Sequence, residues 1–264
     1  MGTGFRNRSC ATLSEQQNGQ TVAVERISYR AGNAACNGAL VYDERASGRR
    51  PLLLMAPNWL GMTDDAIKRA AAMAGSKYVA FVADMYGGGK IASGPQDAAP
   101  LANALRADAP ERRRRIGAAL DTLRSESGKR NIGDLKRQAA VGFCFGGGNV
   151  LELARAGAEL QAVICLHGDL LTPLPAKPGD IKAAICVLHG SQDPVVPKKD
   201  RDTFEAEMEA SGAKWQMLIF GGLLHSFSEI ESDVPGIARY DAGATRQGYN
   251  MVDDFATAAF DGKL

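Results

Sequence analysis

Short runs of apolar residues alternate along the chain with longer amphipathic stretches. The runs over residues 51–56, 78–83 and 139–143 contain almost no polar positions, as expected of strands that are covered on both faces of a parallel sheet. The amphipathic stretches between such runs predict helices that provide this cover. The pattern therefore predicts an α/β protein with a mostly parallel central sheet and helices on both faces.

Weaker patterns extend this arrangement. Partial alternation over residues 21–29 and 38–43 predicts an opening hairpin at one edge of the sheet. Thr63 or Asp64 can cap a helix that stops at Gly75. Further strands are predicted over 162–166, 183–188 and 215–220, and further helices over 95–126 with a break near Pro110, over 198–210 and over 243–260.

Length and charge limit the class of protein. Because no linker-like stretch divides the 264 residues, we expect a single domain over residues 21–264 behind a flexible tail over residues 1–20. The formal charge of +1 gives no case for binding nucleic acid or a membrane surface. The basic run from Arg112 to Arg115 is interpreted as a solvated helix face or a set of salt-bridge partners.

The sequence also bears on location and assembly. No apolar segment approaches the roughly 18 residues of a membrane span, and residues 1–20 lack the apolar core of a signal peptide. We therefore expect a cytoplasmic protein that is a monomer or a small homo-oligomer. The alternative that a leader was removed before Met1 stays open.

The five cysteines show neither a C-x-x-C pair nor a metal-ligand spacing. Cys165 and Cys186 lie within strand-like runs and are interpreted as small core residues. Cys10 and Cys36 could pair only in an oxidising compartment. We therefore expect no disulfide scaffold, no metal site and no cofactor.

The most informative motif follows the run over residues 139–143. Gly142-x-Cys144-x-Gly146 joins that strand to a predicted helix, in the pattern of a nucleophile elbow with cysteine in place of the usual serine. The glycines keep side chains out of a sharp, strained turn, and the helix N-terminus favours a thiolate. Alternatively, the motif is a glycine-rich turn that holds a buried cysteine.

Two later loops supply an acid and a base, in the chain order nucleophile, acid, histidine. Asp193 follows the strand over 183–188, with an Asx-turn or a helix cap as its alternative role. His225 follows the last strand; it would take the thiol proton while Asp193 fixes its tautomer. His167 and His189 also lie at strand ends, where imidazoles often bond backbone carbonyls, and we interpret both as structural.

An acyl-transfer site also needs donors for a developing oxyanion. The backbone N–H of Phe145, directly after Cys144, fits the first position. The loop over residues 56–61 places the Trp59 N–H as the second donor. The aromatic candidates for lining an apolar pocket, each of which could equally be a core residue, are Trp59, Tyr86, Phe145 and Phe227.

Together these motifs resemble those of the dienelactone hydrolase family of α/β-hydrolases. The resemblance covers about residues 50–260 and rests on residues 142–148, 189–197, His-Ser-Phe at 225–227 and the Asp-x-Tyr-Gly segment at 84–87. It implies the α/β-hydrolase fold, with Cys144 as nucleophile, Asp193 as acid and His225 as base. It also implies hydrolysis of esters or lactones through an acyl-enzyme, without a metal or an organic cofactor.

Two departures from the family pattern add Asn58 and Glu229 to the pocket candidates. Asn58 stands where members commonly hold a glutamate that pairs with the resting nucleophile, so Cys144 would depend more on His225. Ser228 and Glu229 stand where dienelactone-cleaving members place an arginine for the substrate carboxylate, and Glu229 would repel an anionic substrate. The expected substrate is therefore a small ester, lactone or thioester rather than a true dienelactone.

Two other hypotheses stay open. Without the family glutamate, the chain could be a catalytically weak α/β-hydrolase scaffold that binds or senses a small molecule. Cys144 could also be a redox-reactive thiol, although no resolving cysteine lies nearby in the sequence. Acylation of Cys144 followed by turnover would favour the hydrolase over both.

Overall fold

The computed structural model describes residues 15–17 and 20–264. Eleven strands occur in that part of the chain: β1 (Glu15–Gln17), β2 (Gln20–Ala31), β3 (Ala34–Asp43), β4 (Arg50–Ala56), β5 (Val79–Val82), β6 (Gly133–Phe143), β7 (Ala162–Leu166), β8 (Ala184–Gly190), β9 (Trp215–Phe220), β10 (Asp233–Val234) and β11 (Ala238–Arg239). Strands β1 to β9 form one sheet in the order β1-β2-β3-β5-β4-β6-β7-β8-β9, and β10 pairs with β11.

Helices cover both faces of the large sheet. Six occur in the same described residues: α1 (Asp64–Ala74), α2 (Pro95–Ala107), α3 (Ala109–Lys129), α4 (Phe145–Arg155), α5 (Lys198–Ser211) and α6 (Ala242–Phe260). Helices α2 to α5 pack on one face, whereas α1 and α6 pack on the other. None of these helices combines the length and the hydrophobicity that crossing a bilayer requires.

The strand directions place one edge of the sheet under the site. From β5 through β4, β6, β7 and β8 to β9, neighbouring strands run parallel, so their carboxyl ends meet at one edge. Strands β2 and β3 form the antiparallel opening hairpin that the sequence predicts. The predicted α/β class, with its mostly parallel sheet, is confirmed.

The predicted break in the long helical region near Pro110 is present. It lies at Asp108, between α2 and α3. The Asp108 carboxylate caps α3 by accepting a hydrogen bond from the Glu111 N–H at 3.0 Å. Pro110 lies in the first turn of α3, where its missing N–H has no helical partner to lose, so it does not interrupt the helix.

The start of the chain extends the sheet. Residues 15–17 form β1, which pairs with β2 although it falls within the stretch predicted as a tail. Residues 1–14 and 18–19 lie outside the described residues, so for them the flexible tail stays a prediction.

Candidate active site

Cys144 lies at the sharp turn between β6 and α4. Its backbone φ is 51°, and α4 begins at the next residue. A Cβ atom on Gly142 would lie 2.1 Å from the carbonyl oxygen of Gly146, and one on Gly146 would lie 2.1 Å from that of Ala56. Both obstacles are backbone atoms, which can yield only if the helix or the loop moves. The two glycines are therefore required by the turn.

Replacing Gly146 by alanine is expected to lower the free energy of unfolding by about 2–3 kcal/mol, because the new methyl group overlaps the backbone of β4. Gly117 is the matched control, since it lies in α3 with no atom within 4 Å of an added Cβ. Gly117→Ala should raise stability by roughly 0.5–1 kcal/mol through helix propensity. Urea unfolding measures both changes, and a Gly146→Ala protein as stable as wild type would contradict the crowded turn.

Backbone strain is concentrated at the carboxyl edge of the sheet. Among the described non-glycine residues, four have positive φ; Asn131 is one, and the others are Cys144, His167 and Ser226, at 51°, 39° and 54°. The latter three lie at the elbow, at the end of β7 and directly after His225. Such conformations persist only where the surrounding structure enforces them, and they cluster at functional sites.

The side chains of Cys144, His225 and Asp193 form one hydrogen-bonded line. His225 Nε2 lies 3.2 Å from Cys144 Sγ, and His225 Nδ1 lies 2.8 Å from Asp193 Oδ2. All three residues are nearly buried, at 7 %, 5 % and 3 % exposure for Cys144, His225 and Asp193. The structure thus brings together the nucleophile, base and acid candidates of the sequence.

Charges along this line stabilise each other. Burial disfavours a charged His225, but the Cys144 sulfur and the Asp193 carboxylate outweigh it and raise the pKa of His225 well above its ordinary value. Burial also disfavours the charged Asp193, yet the hydrogen bond and charge of His225 lower the pKa of Asp193 below its ordinary 3.8. Asp193 Oδ1 accepts the N–H groups of Val195 and Val196 at 2.8 and 3.0 Å, so the carboxylate makes the Asx-turn as well.

His167 and His189 pack behind this line. His189 Nε2 bonds the Val196 carbonyl at 2.9 Å, the kind of partner that was expected. His167 Nε2 instead lies 2.7 Å from Ser228 Oγ, and its ring meets the His225 ring edge-on at 5.5 Å. Burial lowers the pKa of both, which keeps them neutral. These contacts agree with their interpretation as structural residues.

The loop after β4 carries the second predicted oxyanion donor and lies against the elbow. Asn58 Oδ1 accepts the Leu60 N–H at 3.0 Å, and the Trp59 carbonyl accepts the Tyr86 hydroxyl at 2.7 Å. Within residues 20–264, the N–H groups of Trp59 and Phe145 donate no hydrogen bond. In this part of the chain both N–H groups thus lack a protein acceptor, as an oxyanion donor would.

The aromatic candidates fall into two groups. Tyr86 is half-buried and stacks on Phe145, with ring centroids 5.7 Å apart and planes 17° apart. Phe227 is a core residue, the alternative that the sequence left open for each aromatic candidate: it is fully buried, as is Phe145 at 1 % exposure, but it packs on the opposite face of the sheet. Its ring packs against His167 at 5.0 Å and Phe220 at 5.2 Å, so it supports the loop from within the core.

Asn58 and Glu229 contact each other across 171 residues of sequence. Asn58 Nδ2 donates to Glu229 Oε2 at 2.9 Å. Glu229 Oε1 lies 3.7 Å from Arg69 Nη1 in an ion pair whose side chains are 12 % and 10 % exposed. Glu229 is therefore a paired charge, not the free repulsive charge that the sequence alone indicates.

A cavity of about 390 Å³ lies on the side of the site formed by the loops after β7 and β8. Val195 and Val196, whose N–H groups hold Asp193, line it. Arg106 also lines it and donates to both carboxylate oxygens of Asp169, at 2.8 and 3.1 Å. The remaining lining residues are Arg112, Leu170, Leu171, Thr172, Pro173 and Asp200.

The basic run is a set of salt-bridge partners, one of the two predicted interpretations, because each of its four arginines pairs with a carboxylate. Sequence reasoning missed only the burial of Arg112 beside the elbow. Arg112 is only 2 % exposed, and it donates to Asn149 Oδ1 at 2.5 Å and to the Phe145 carbonyl at 3.2 Å. Its guanidinium lies 5.2 Å from the centre of the Phe145 ring. The sequence feature that could have indicated this burial is helical spacing, because Arg112 lies one turn before the buried Ile116 on α3.

Three of the other cysteines lie in the described part of the chain, and none of these three belongs to the hydrogen-bonded line. Cys36, Cys165 and Cys186 are buried free thiols, whereas Cys10 falls outside the described residues. In the described part of the chain, no group of His, Cys, Asp and Glu side chains is arranged to hold a metal ion.

A nucleophile elbow followed by an acid loop and a histidine loop, all at the carboxyl edge of a mostly parallel sheet, defines an α/β-hydrolase. A model of the dienelactone hydrolase family matches residues 37–260. The chain therefore belongs to the dienelactone hydrolase family of hydrolases.

Individual relatives agree with this assignment. The solved structure of a dienelactone hydrolase-like promiscuous phosphotriesterase from metagenomic libraries is 32 % identical, covers 90 % of this chain and 98 % of that chain, and gives a TM-score of 0.81. An Escherichia coli protein, proposed to be a carboxymethylenebutenolidase, is 25 % identical over 70 % of each sequence. A proposed dienelactone hydrolase from Klebsiella pneumoniae, 18 % identical with a TM-score of 0.72, covers 90 % of this chain and 99 % of that chain and shares the fold.

Proposed function

We propose that this chain is a cysteine hydrolase that cleaves a small ester, lactone or thioester through an acyl-enzyme at Cys144. The observation that carries the proposal is the hydrogen-bonded line from Cys144 Sγ through His225 to Asp193, with distances of 3.2 and 2.8 Å. Membership of a hydrolase family supports the reaction class.

Acylation begins when His225 Nε2 accepts the thiol proton of Cys144 and the sulfur attacks the substrate carbonyl carbon. Asp193 stabilises the imidazolium that results. The carbonyl oxygen becomes an oxyanion and accepts hydrogen bonds from the Phe145 and Trp59 N–H groups. As the carbon–oxygen bond to the alcohol breaks, His225 returns the proton to the leaving oxygen.

Deacylation repeats these steps with water. His225 removes a proton from a water molecule, whose oxygen attacks the thioester carbon of the acyl-enzyme. The same two N–H groups bind the second oxyanion. The carbon–sulfur bond then breaks, the carboxylic acid leaves, and His225 gives its proton back to Cys144.

The cavity beside the site is lined neither by Cys144 and His225 nor by the pocket candidates Asn58, Tyr86 and Glu229, but it reaches Val195 and Val196 on the Asp193 loop. As the space into which part of a substrate could extend, it favours substrates without a net charge. Its apolar residues, including Leu170, Val195 and Val196, can cover a small alkyl or aryl group. Its Arg106 guanidinium is already paired with Asp169, so it offers no unpaired cation for a carboxylate. We therefore propose neutral esters or lactones as substrates.

Intact-mass measurement after mixing with aryl esters of short acids tests this proposal. We expect a burst of phenol, one added acyl group, and its location on the peptide that contains Cys144, followed by turnover. The buried thiols of Cys36, Cys165 and Cys186 are internal controls that should stay unmodified. Turnover without acylation of Cys144 would contradict the mechanism, and ligand binding without any reaction would favour the binding or sensing scaffold.

A second candidate reaction is hydrolysis of phosphotriesters. It is favoured by the 32 % identity to a promiscuous phosphotriesterase over nearly the whole length of that protein. The Cys144 sulfur would attack phosphorus and expel an aryl oxide, and water would then cleave the phosphorus–sulfur bond. Release of nitrophenolate from a dialkyl nitrophenyl phosphate, followed beside an aryl ester, measures it, and a rate no higher than in buffer would exclude it.

A further inference from the structure

Asn58 is bound at both ends of its side chain. Its Nδ2 donates to Glu229 Oε2 at 2.9 Å, and its Oδ1 accepts the Leu60 N–H at 3.0 Å. The residue between Asn58 and Leu60 is Trp59, whose N–H is the second oxyanion donor of the proposed reaction. Asn58 therefore joins that donor's loop to the loop that follows His225.

On the opposite side, the backbone of Glu229 is fixed by a turn. Its N–H donates to the Ser226 carbonyl at 3.0 Å, which closes a turn directly after His225. Within that turn, Ser228 is bonded to the buried His167 at 2.7 Å. The carboxylate that Asn58 contacts thus projects from a backbone tied to the base.

The peptide groups around Trp59 are held from two directions. The Tyr86 hydroxyl donates to the Trp59 carbonyl at 2.7 Å, and Asn58 holds the Leu60 N–H. In the described residues the Trp59 N–H is left without an acceptor. Both bonds hold the Trp59–Leu60 peptide, which is adjacent to the peptide that carries this N–H. A shift of the Asn58 side chain would therefore move the Trp59–Leu60 peptide and, through the Trp59 Cα atom, the direction of the Trp59 N–H.

Arg69 balances the charge of Glu229. Its Nη1 lies 3.7 Å from Glu229 Oε1, and both side chains are about nine-tenths buried. The guanidinium also lies 4.5 Å from the centre of the Phe143 ring, next to Cys144 in sequence. An uncompensated carboxylate here would oppose negative charge on a substrate oxygen, because Coulomb interactions are strong where water is excluded.

We propose that Glu229 is a positioning residue which, held by Asn58 and neutralised by Arg69, sets the Trp59 N–H relative to His225 for transition-state binding. The proposal rests on the proposed hydrolase function. It assigns the acidic side chain after the His-Ser-Phe motif to the oxyanion site rather than to exclusion of anionic substrates.

Kinetics of Glu229→Ala and Asn58→Ala with an aryl ester test the proposal. Each variant should lower kcat by about 10- to 100-fold with little change in KM, because the lost interaction acts mainly on the transition state. The kcat of the double variant should be no lower than that of the less active single variant, because both substitutions remove the same contact between Asn58 and Glu229. Glu229→Gln keeps an oxygen for Asn58 and should recover most of kcat.

Arg69 supplies a charge test of the same arrangement. Arg69→Met leaves Glu229 unpaired and should also lower kcat, and adding Glu229→Gln to it should restore activity. Glu231, exposed two residues further on, is the matched control; Glu231→Gln removes the same charge and should behave as wild type.

The affinity of an aryl trifluoromethyl ketone, which forms a tetrahedral adduct with a thiol, reports on the oxyanion site separately from folding. It should weaken in Glu229→Ala by the same factor as kcat. Wild-type kcat in Glu229→Ala and Asn58→Ala would overturn the positioning role while leaving the hydrolase standing. A raised KM or a lowered thermal stability with an unchanged kcat would also overturn the positioning role. A wild-type protein that neither acylates nor turns over would overturn both proposals.

Discussion

Replacing Cys144 by alanine is expected to lower kcat/KM for aryl esters by about 10⁴-fold or more, because no atom at the elbow can then form the acyl bond. A small residual rate should remain from binding and from the two backbone N–H groups. Thermal unfolding should change little, since alanine keeps the Cβ atom at a φ of 51° and only one sulfur is removed. Steady-state hydrolysis and a thermal melt measure the two effects.

Cys186→Ala is the control for loss of a buried thiol. Cys186 lies in the middle of β8, and its sulfur contacts Gln216 rather than His225. The activity of Cys186→Ala should stay within about twofold of wild type, because substitutions at distant sites act independently. Wild-type turnover in Cys144→Ala, or an equal loss in both variants, would exclude Cys144 as the nucleophile.

Cys144→Ala should also lower the pKa of His225. Burial opposes a charged imidazole here, and the Cys144 sulfur is the largest of the groups that act against burial. Without it, Asp193 alone supports the imidazolium. A titration of the His225 ring protons by NMR follows this shift, and an unchanged pKa would mean that sulfur and imidazole are not coupled.

The convergence of the three residues follows from strand direction. Once residues 139–143, 183–188 and 215–220 are identified as parallel strands, the loops that follow them must lie along one edge of the sheet. Cys144, in a glycine-flanked turn, and Asp193 lie on such loops. Local sequence pattern therefore predicts which side chains meet, even though they are far apart along the chain.

Side-chain direction within those loops could not be predicted in this way. Phe227 follows His225 by two residues, but the backbone turns at Ser226, where φ is 54°, and Phe227 lies in the core. The contact of Asn58 with Glu229 depends on the conformations of two irregular loops. Periodicity along strands and helices says nothing about such loops, which is why Glu229 was misjudged as an unpaired charge.

Asp193→Asn is expected to lower kcat by about 10³-fold or more. The amide can still lie beside His225, but it cannot stabilise an imidazolium with a full negative charge. With its NH₂ group towards Nδ1, it would favour the tautomer in which Nε2 carries the proton and cannot accept one from Cys144. Single-turnover acylation rates measure the loss directly.

The same variant should change stability in a defined pH window. Because the pKa of Asp193 is lowered in the folded protein, the ionised carboxylate contributes fully to the free energy of unfolding above pH 3.8, its ordinary pKa. This contribution is lost as the pH falls through the lowered pKa. Because the pKa of His225 is raised in the folded protein, the protonated imidazole contributes fully to the free energy of unfolding below pH 6.5, its ordinary pKa. This contribution is lost as the pH rises through the raised pKa.

The difference in unfolding free energy between wild type and Asp193→Asn should therefore be widest between these two pH values, at about 2 kcal/mol, and should narrow on both sides. Urea unfolding at a series of pH values measures it. Asp202→Asn, on the exposed face of α5 in contact with Lys198, is the control and should give a small difference. A difference for Asp193→Asn that is independent of pH would mean that the carboxylate and the imidazole do not form a charged pair, and the base would then lack the partner that the mechanism requires.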